Sequence, residues 1–487
     1  MIPGLMYRDK TFEKNVQFDS ENLVIDLGLD IIIKIMGGGD EFIESISKKV
    51  LLSGGEDEET VIYRQKVLQD AISNYETVLE MYKIVSETIE KIRSRFFITA
   101  VQRPSYVLHE SITILNFFLE AIERMKRAIS LKEGNFSSDG FKSFFHILLE
   151  EFNQDYINEL RTHLRNLEFE DGVNLRGEIL GGNRLGNFVL LVPREKSRLS
   201  FLHIFEREYS FTLAPMDEAG GQILEEMIDS AVANVASIIK DAADKALKFL
   251  HNAKTELAFY IGCVNLYRKL KSMGEPLTFP KISKTFRFKG LYDIALSISN
   301  NGRTVKNSLY IDKQLIIITG PNSGGKSTFL RSLGQAQLML GVGMFVPAEE
   351  YEGPLFREIH THFRREESTK MDVGKLENEL VNIKNIVEKM NPNSFFLFNE
   401  PFSSTNEVEG SELAKQLIDS LLEGGVVVGI VTHFYMLAEK YMREPELAAF
   451  LIAERKEDGT RTFRIIPGKP SYTSFARELF ERIFMHN

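Results

Sequence analysis

The stretch LIIITGPNSGGKSTFL, Leu315 to Leu330, constrains this chain more than any other. A short apolar run of strand length enters a glycine-rich turn, and a helix-compatible segment follows at once. The turn carries G-x-x-x-x-G-K-S as Gly320, Gly325, Lys326 and Ser327, with Pro321, Asn322, Ser323 and Gly324 between and Thr328 after. Glycines let the backbone wrap closely around an anion, so that successive N–H groups and the helix N-terminus face phosphate oxygens. Lys326 is expected to reach the β- and γ-phosphates of ATP, and Ser327 to offer its hydroxyl oxygen to Mg²⁺.

Such a loop works beside a second strand of the same sheet, and SFFLFNE, Ser394 to Glu400, supplies one. In this architecture the first strand-end carboxylate holds Mg²⁺, often through water, and the next polarises the attacking water. Here the first position is Asn399 and the second is Glu400. Asn399 keeps an oxygen but lacks a charge. One unit charge about 5 Å from a divalent ion is worth roughly 7 kcal/mol gross at an effective dielectric of ~20, before desolvation reduces it. Weaker Mg²⁺ retention is therefore expected, with Glu400 still available as general base. VVVGIVTHF then ends a third buried strand at His433, which is placed to meet the γ-phosphate or the attacking water.

The chain divides near Pro280. Beyond it, strand-length runs at 314–319, 394–398 and 426–431 alternate with helical stretches, the pattern of a mostly parallel sheet. AAFLIAERKEDGTRTFRII adds two strand-like runs around Asp458-Gly459, a hairpin signal. Before Pro280, apolar residues recur at spacings of three and four: Val78, Tyr82, Val85, Ile89, Ile92; Leu108, Ile112, Leu115, Leu119, Ile122; Leu224, Ile228, Ala231, Val235, Ile238. These predict long helices packed along coiled-coil-like seams. Glycine-rich turns around an apolar run in GEILGGNRLGNFVLLVPRE predict a small β insertion near 173–213. Its Arg184, Arg194, Lys196 and Arg198, with Arg207 beyond, suit a solvated charged hairpin better than a ligand loop. GGEDEET, Gly54 to Thr60, has the composition of a surface linker after a short N-terminal helical unit. The expected organisation is multidomain, α plus α/β: an N-terminal unit over 1–58, a long-helix part over 59–280, and a P-loop domain over 281–487.

The bulk numbers exclude several classes. A formal charge of -10 argues against an all-over nucleic-acid surface, although a local basic groove remains compatible with it. The single cysteine, Cys263, excludes an internal disulfide framework and reads as a small buried hydrophobe. No apolar run approaches the ~20 residues that span a bilayer, and the first residues lack a signal-peptide pattern, so the cytoplasm is the expected location.

These motifs together resemble the MutS mismatch-repair ATPase family. ITGPNSGGKSTFLRSLGQAQLMLGVGMFVPAE is similar to its phosphate loop and the Gly-x-x-x-Pro-Ala segment after it, and FNEPFSSTNEVEGSELA to its second-strand stretch. VTHFYMLAEKY resembles its T-H-[FY] segment, while VIYRQKVLQDAISN and AFYIGCVNLYRKL resemble the start and end of its helical core. The resemblance covers roughly residues 59–487. It implies an ABC-type ATPase domain behind core and lever helices, a homodimer with composite ATP sites, and a DNA clamp whose state follows the nucleotide. The N-terminal region is short, with too little chain for the family's first two domains at full size. The loop that would reach the partner's γ-phosphate, ESTKMDVGKLENEL, has Gly374 and Lys375 where the family has Ser and Thr. Gly374 would present backbone N–H groups, and Lys375 either contacts phosphate or faces solvent. Glu377 and Glu379 are expected on the helix surface.

Two functions follow. The first is a MutS-like, ATP-driven DNA-binding switch with slow Mg²⁺-dependent hydrolysis, acting on mismatched or branched DNA. The second is a nucleotide-gated protein-interaction module that binds ATP and turns it over little.

Overall fold

The computed structural model describes residues 3–95, 103–169, 172–182, 184–191, 212–214, 216–364, 374–456 and 460–470. Three short helices come first: α1 (Ser20–Asp26), α2 (Leu29–Gly37) and α3 (Glu41–Leu51). Longer ones follow: α4 (Glu58–Ser73), α5 (Tyr75–Arg95), α6 (Pro104–Ile129), α7 (Asp139–His146) and α8 (Gln154–Asn166). Side-chain caps set several starts. Asp40 accepts from Phe42 N and Ile43 N, Asp57 accepts from Thr60 N, and Pro104 opens α6 where no intrahelical donor is needed. A hairpin of β1 (Leu175–Leu180) and β2 (Arg184–Leu190) precedes α9 (Glu218–Ser272), a helix of 55 residues.

The stripes of α5 and α6 bury Val78, Tyr82, Val85, Leu108, Ile112, Leu119 and Ile122, and both helices pack along α9. In the first half of α9 the seam differs from the expected one. Ala231 of the expected stripe is buried and Ile228 and Val235 pack against the core, but Leu224 is 44% exposed and Ile238 68% exposed, and Val232, Ala236, Ala243 and Ala246 face inward instead. Small side chains let the neighbouring helix approach closely, so alanines share the contact with Ile228, Val232 and Val235. The β insertion is an antiparallel pair with Arg184 exposed; Arg194, Lys196, Arg198 and Arg207 lie outside the described residues.

Beyond α9 come β3 (Lys281–Ile282), β4 (Phe286–Leu291), α10 (Ile294–Ser299), β5 (Asn307–Ile311), β6 (Leu315–Thr319) and α11 (Lys326–Gly341). Then follow β7 (Glu350–Gly353), β8 (Glu358–Phe363), α12 (Lys375–Val387), β9 (Ser394–Asn399), α13 (Glu407–Glu423), β10 (Val427–Val431), α14 (Tyr435–Tyr441), β11 (Ala448–Arg455) and β12 (Arg461–Pro467). The main sheet has the order β12-β11-β6-β10-β9-β8, parallel except for β12, which pairs antiparallel with β11. A smaller sheet runs β3-β7-β4-β5. Alternation along the buried strands sends Ile316, Ile318, Phe395 and Leu397 into the cluster that includes α11. Leu315, Ile317, Phe396, Phe398, Val428 and Ile430 join α12, α13 and α14 on the other face. The phosphate-loop strand β6 is thereby central, with both faces covered.

The first 58 residues are packed into the rest of the chain. Leu5 N and Met6 N donate to Glu256 of α9 at 2.7 and 3.3 Å, and Tyr260 OH donates to Leu5 O at 2.7 Å. Helix α1 covers β8: Asp19 meets the buried His360 ring at 2.6 Å, and Asp26 accepts from Phe363 N at 3.2 Å. The surface-linker expectation for Gly54 to Thr60 fails at its first half. Gly55 N donates to Arg357 O at 2.8 Å, and a Cβ on Gly55 would stand 2.0 Å from Phe356 O, so only glycine passes there. Glu56 is buried, 2.9 Å from both Arg64 and Lys14. Acidic composition suggested solvent, but two cations from elsewhere receive the charge.

Candidate nucleotide site at the carboxyl ends of the central strands

The loop after β6 is built from conformations that need glycine at two points. Gly320 has φ 124° and Gly325 φ 92°, with Ser323 also left-handed at φ 58°. A Cβ on Gly325 would lie 2.9 Å from Phe463 O of β12, because β11 and β12 pack against the loop. Pro321 and Gly324 are buried, Asn322 and Ser323 exposed, and Thr328 half-buried on the first turn of α11.

Lys326, 4% exposed, folds back so that Nζ donates to Gly320 O at 2.8 Å and Pro321 O at 3.0 Å. Burial pushes its pKa down, and the Glu400 carboxylate nearby opposes that shift. Ser327 Oγ lies 2.8 Å from Asn399 Oδ1, so the loop serine and the end of β9 meet as the sequence spacing suggested. Glu400 follows in a left-handed conformation, φ 55°, with its N–H donating to Val431 O at 2.8 Å. Its Oε2 is 4.0 Å from His433 Nδ1 at the end of β10 and 4.0 Å from Arg364 Nη1 at the end of β8. Arg364 is also fixed through its backbone, whose N–H donates to Asn399 O at 3.1 Å.

Lys326, Ser327, Asn399, Glu400 and His433 therefore converge at one end of the sheet. Gly374 and Lys375 are the N-cap and first residue of α12, and no described residue beyond the chain neighbours lies within 4 Å of where a Gly374 Cβ would be. The preceding residues 365–373 lie outside the described residues. Glu377 is exposed as expected, but Glu379 is not a surface residue. Its Oε1 accepts from Phe402 N at 2.8 Å and lies 3.1 Å from His362 Nε2, tying α12 to the turn after Glu400. Glu379, Ile383 and Ile386 share one stripe, the latter two buried, so helical spacing carried the signal.

Sequence reasoning also missed Arg364, and a cavity of about 240 Å³ beside Gly325 and Thr328. The cavity is lined further by Tyr292, Thr304 and Phe463. Tyr292 is 1% exposed, and neither its hydroxyl nor Thr304 Oγ1 has a hydrogen-bond partner among the described residues. No local pattern announces this cavity, because its walls come from three separate segments, 292–307, 325–332 and Phe463.

No group of three or more His, Cys, Asp or Glu side chains is placed to hold a metal among the described residues. The donor set suits Mg²⁺ nonetheless. That ion takes one or two protein oxygens and completes its shell with phosphate and water, and Ser327 and Asn399 offer adjacent oxygens.

Long helices joined to a mostly parallel sheet, with a glycine-rich loop at its centre, define a helical and α/β protein of multidomain MutS-like architecture. Residues 56–273 match the MutS2 N-terminal domain and residues 316–475 match MutS domain V. The chain belongs to the MutS family. It is 31% identical over 170 residues to Endonuclease MutS2 of Brevibacillus brevis, covering 34% of this chain and 22% of that protein. It is 27% identical over 297 residues to the DNA mismatch repair protein MutS of Thermus thermophilus, covering 60% and 35%. It is 25% identical over 371 residues to the protein of that name from Shouchella clausii, covering 72% and 42%. The matched stretches thus span less than half of each relative's length. No helix among the described residues is long and apolar enough to cross a membrane.

Proposed function

We propose that this chain is an ATP-driven switch that binds ATP, hydrolyses it slowly with Mg²⁺, and acts on DNA as a homodimer with composite sites. The observation that carries the reading is the 2.8 Å contact between Ser327 and Asn399, which sets Glu400 beside a loop already shaped for phosphate. Lys326 exchanges its two carbonyl partners for the β- and γ-phosphates, and its desolvated ammonium is a strong partner for them. The cavity beside Thr328 takes the nucleoside end. Glu400 accepts a proton from the attacking water, and His433, 4.0 Å from it, orients that water or the terminal phosphate. Mg²⁺, held through Ser327 and Asn399, supplies neutralisation of the phosphate charge.

In this reading the P-loop part over 281–487 drives the helical part over 59–280, and the Gly374–Lys375 end of α12 meets the partner's nucleotide. The relatives' names, a DNA mismatch repair protein and an endonuclease, support DNA as the partner. Asn399 favours a second reading, a nucleotide-gated interaction module with little turnover.

Steady-state ATP turnover across a Mg²⁺ titration separates the two. The switch requires turnover in the wild type, its loss in Glu400→Gln with ATP binding retained, and loss of binding in Lys326→Ala. Equal inactivity of wild type and Glu400→Gln, with both binding ATP, would leave only the binding module.

A further inference from the structure

The end of β8 carries a cation that none of the motifs assigns. We propose that Arg364 binds the γ-phosphate of the nucleotide held by its own chain, and so supplies charge that Asn399 withholds; this rests on the ATP reading above. Arg364 is anchored by its backbone to Asn399 O, while its side chain remains 59% exposed. At 4.0 Å from Glu400 Oε2 it is attracted to that carboxylate but lies beyond the 2.7–2.9 Å of a charge-assisted hydrogen bond. His433 approaches the same oxygen at the same distance from the neighbouring strand. Both side chains therefore converge on Glu400, at the end of the loop where the terminal phosphate of a nucleotide seated on Lys326 would sit.

Charge gives the reason. With a neutral Asn399, the described residues set Lys326 and Arg364 against the carboxylate of Glu400. An aspartate at 399 would instead add a second negative charge and depend on the metal to offset it. The balance found here favours a triphosphate with or without a divalent ion. A guanidinium suits this role because its planar fork donates two parallel hydrogen bonds to phosphate oxygens. Because Arg364 reaches only the terminal phosphate, it distinguishes ATP from ADP.

The test is equilibrium binding of ATP and ADP to the full chain by calorimetry, in Mg²⁺ and in EDTA, for wild type, Arg364→Ala, Arg364→Lys and Lys326→Ala. Far-UV circular dichroism controls for folding; truncating a half-exposed side chain opens no core. Arg364→Ala should weaken ATP roughly 10- to 100-fold, the range for losing one hydrogen-bonded charge contact, and leave ADP within about twofold. The ATP loss should be larger in EDTA, and Arg364→Lys should restore part of it. Equal weakening of ATP and ADP, or no change in either, would overturn the assignment. Lys326→Ala separates the two levels: if it binds both nucleotides as the wild type does, the nucleotide reading itself fails, whatever Arg364 does.

Discussion

Glu256 titrates in the core, and its consequence for stability is measurable. The side chain is 1% exposed on α9. One oxygen accepts from Leu5 N and Met6 N, and the other has no partner among the described residues. Burial pushes its pKa up from 4.5 to about 7, opposed by the two backbone donors and by Arg64. Between those values the folded chain holds a proton that the unfolded chain has released, so stability falls as pH rises through that window. A shift of this size corresponds to about 3 kcal/mol, fully lost above the folded pKa. Glu256→Gln keeps an acceptor for Leu5 and Met6 and removes the titration. Urea unfolding followed by far-UV circular dichroism, since the chain has no tryptophan, at pH 5 and pH 8 gives the comparison. The wild-type-minus-variant difference in stability should change by about 3 kcal/mol between the two pH values, to the disadvantage of the wild type at pH 8. Taking that difference cancels every other titrating group. A difference that stays constant to within about 0.5 kcal/mol, the usual limit of additivity, would refute the reasoning.

Two further outcomes are expected at the proposed nucleotide site. Asn399→Asp should raise ATP turnover most at low Mg²⁺, measured as a lower metal concentration for half-maximal rate, and an unchanged metal dependence would remove position 399 from the metal's surroundings. Glu379→Ala deprives Phe402 N of its acceptor and His362 of its partner, and should cost about 1–3 kcal/mol in urea unfolding while lowering turnover through displacement of the turn after Glu400.

What the sequence made legible is what local pattern encodes. The loop, the strands ending at Thr319, Asn399 and Val431, and the β11–β12 pairing all sit within a residue or two of their expected places, because each is a contiguous apolar run bounded by its own turn residues. The turn residues Asp458 and Gly459 lie outside the described residues. What escaped depends on strand order and long-range partners. Arg364 reaches Glu400 because β8 lies beside β9, and Glu56 is buried because Arg64 and Lys14 are there to receive its charge. Leu224 and Ile238 had the right spacing and the wrong face, since periodicity over a few turns does not say which of two adjacent stripes a neighbour will cover.

The length of α9 turns angle into distance. Its stretch from Phe249 to Leu270 is rooted in the core, and Glu225 pairs with Arg103 at the start of α6 far along the same helix. The 24 residues between Phe249 and Glu225 rise about 36 Å at 1.5 Å per residue. A tilt of about 5° at the root therefore carries the far end about 3 Å, by the same helical rise. Because α6 runs alongside, the pair moves as a stiff beam rather than a whip. Displacements at the root too small to disturb a packed core become, at the tip, the width of an atom.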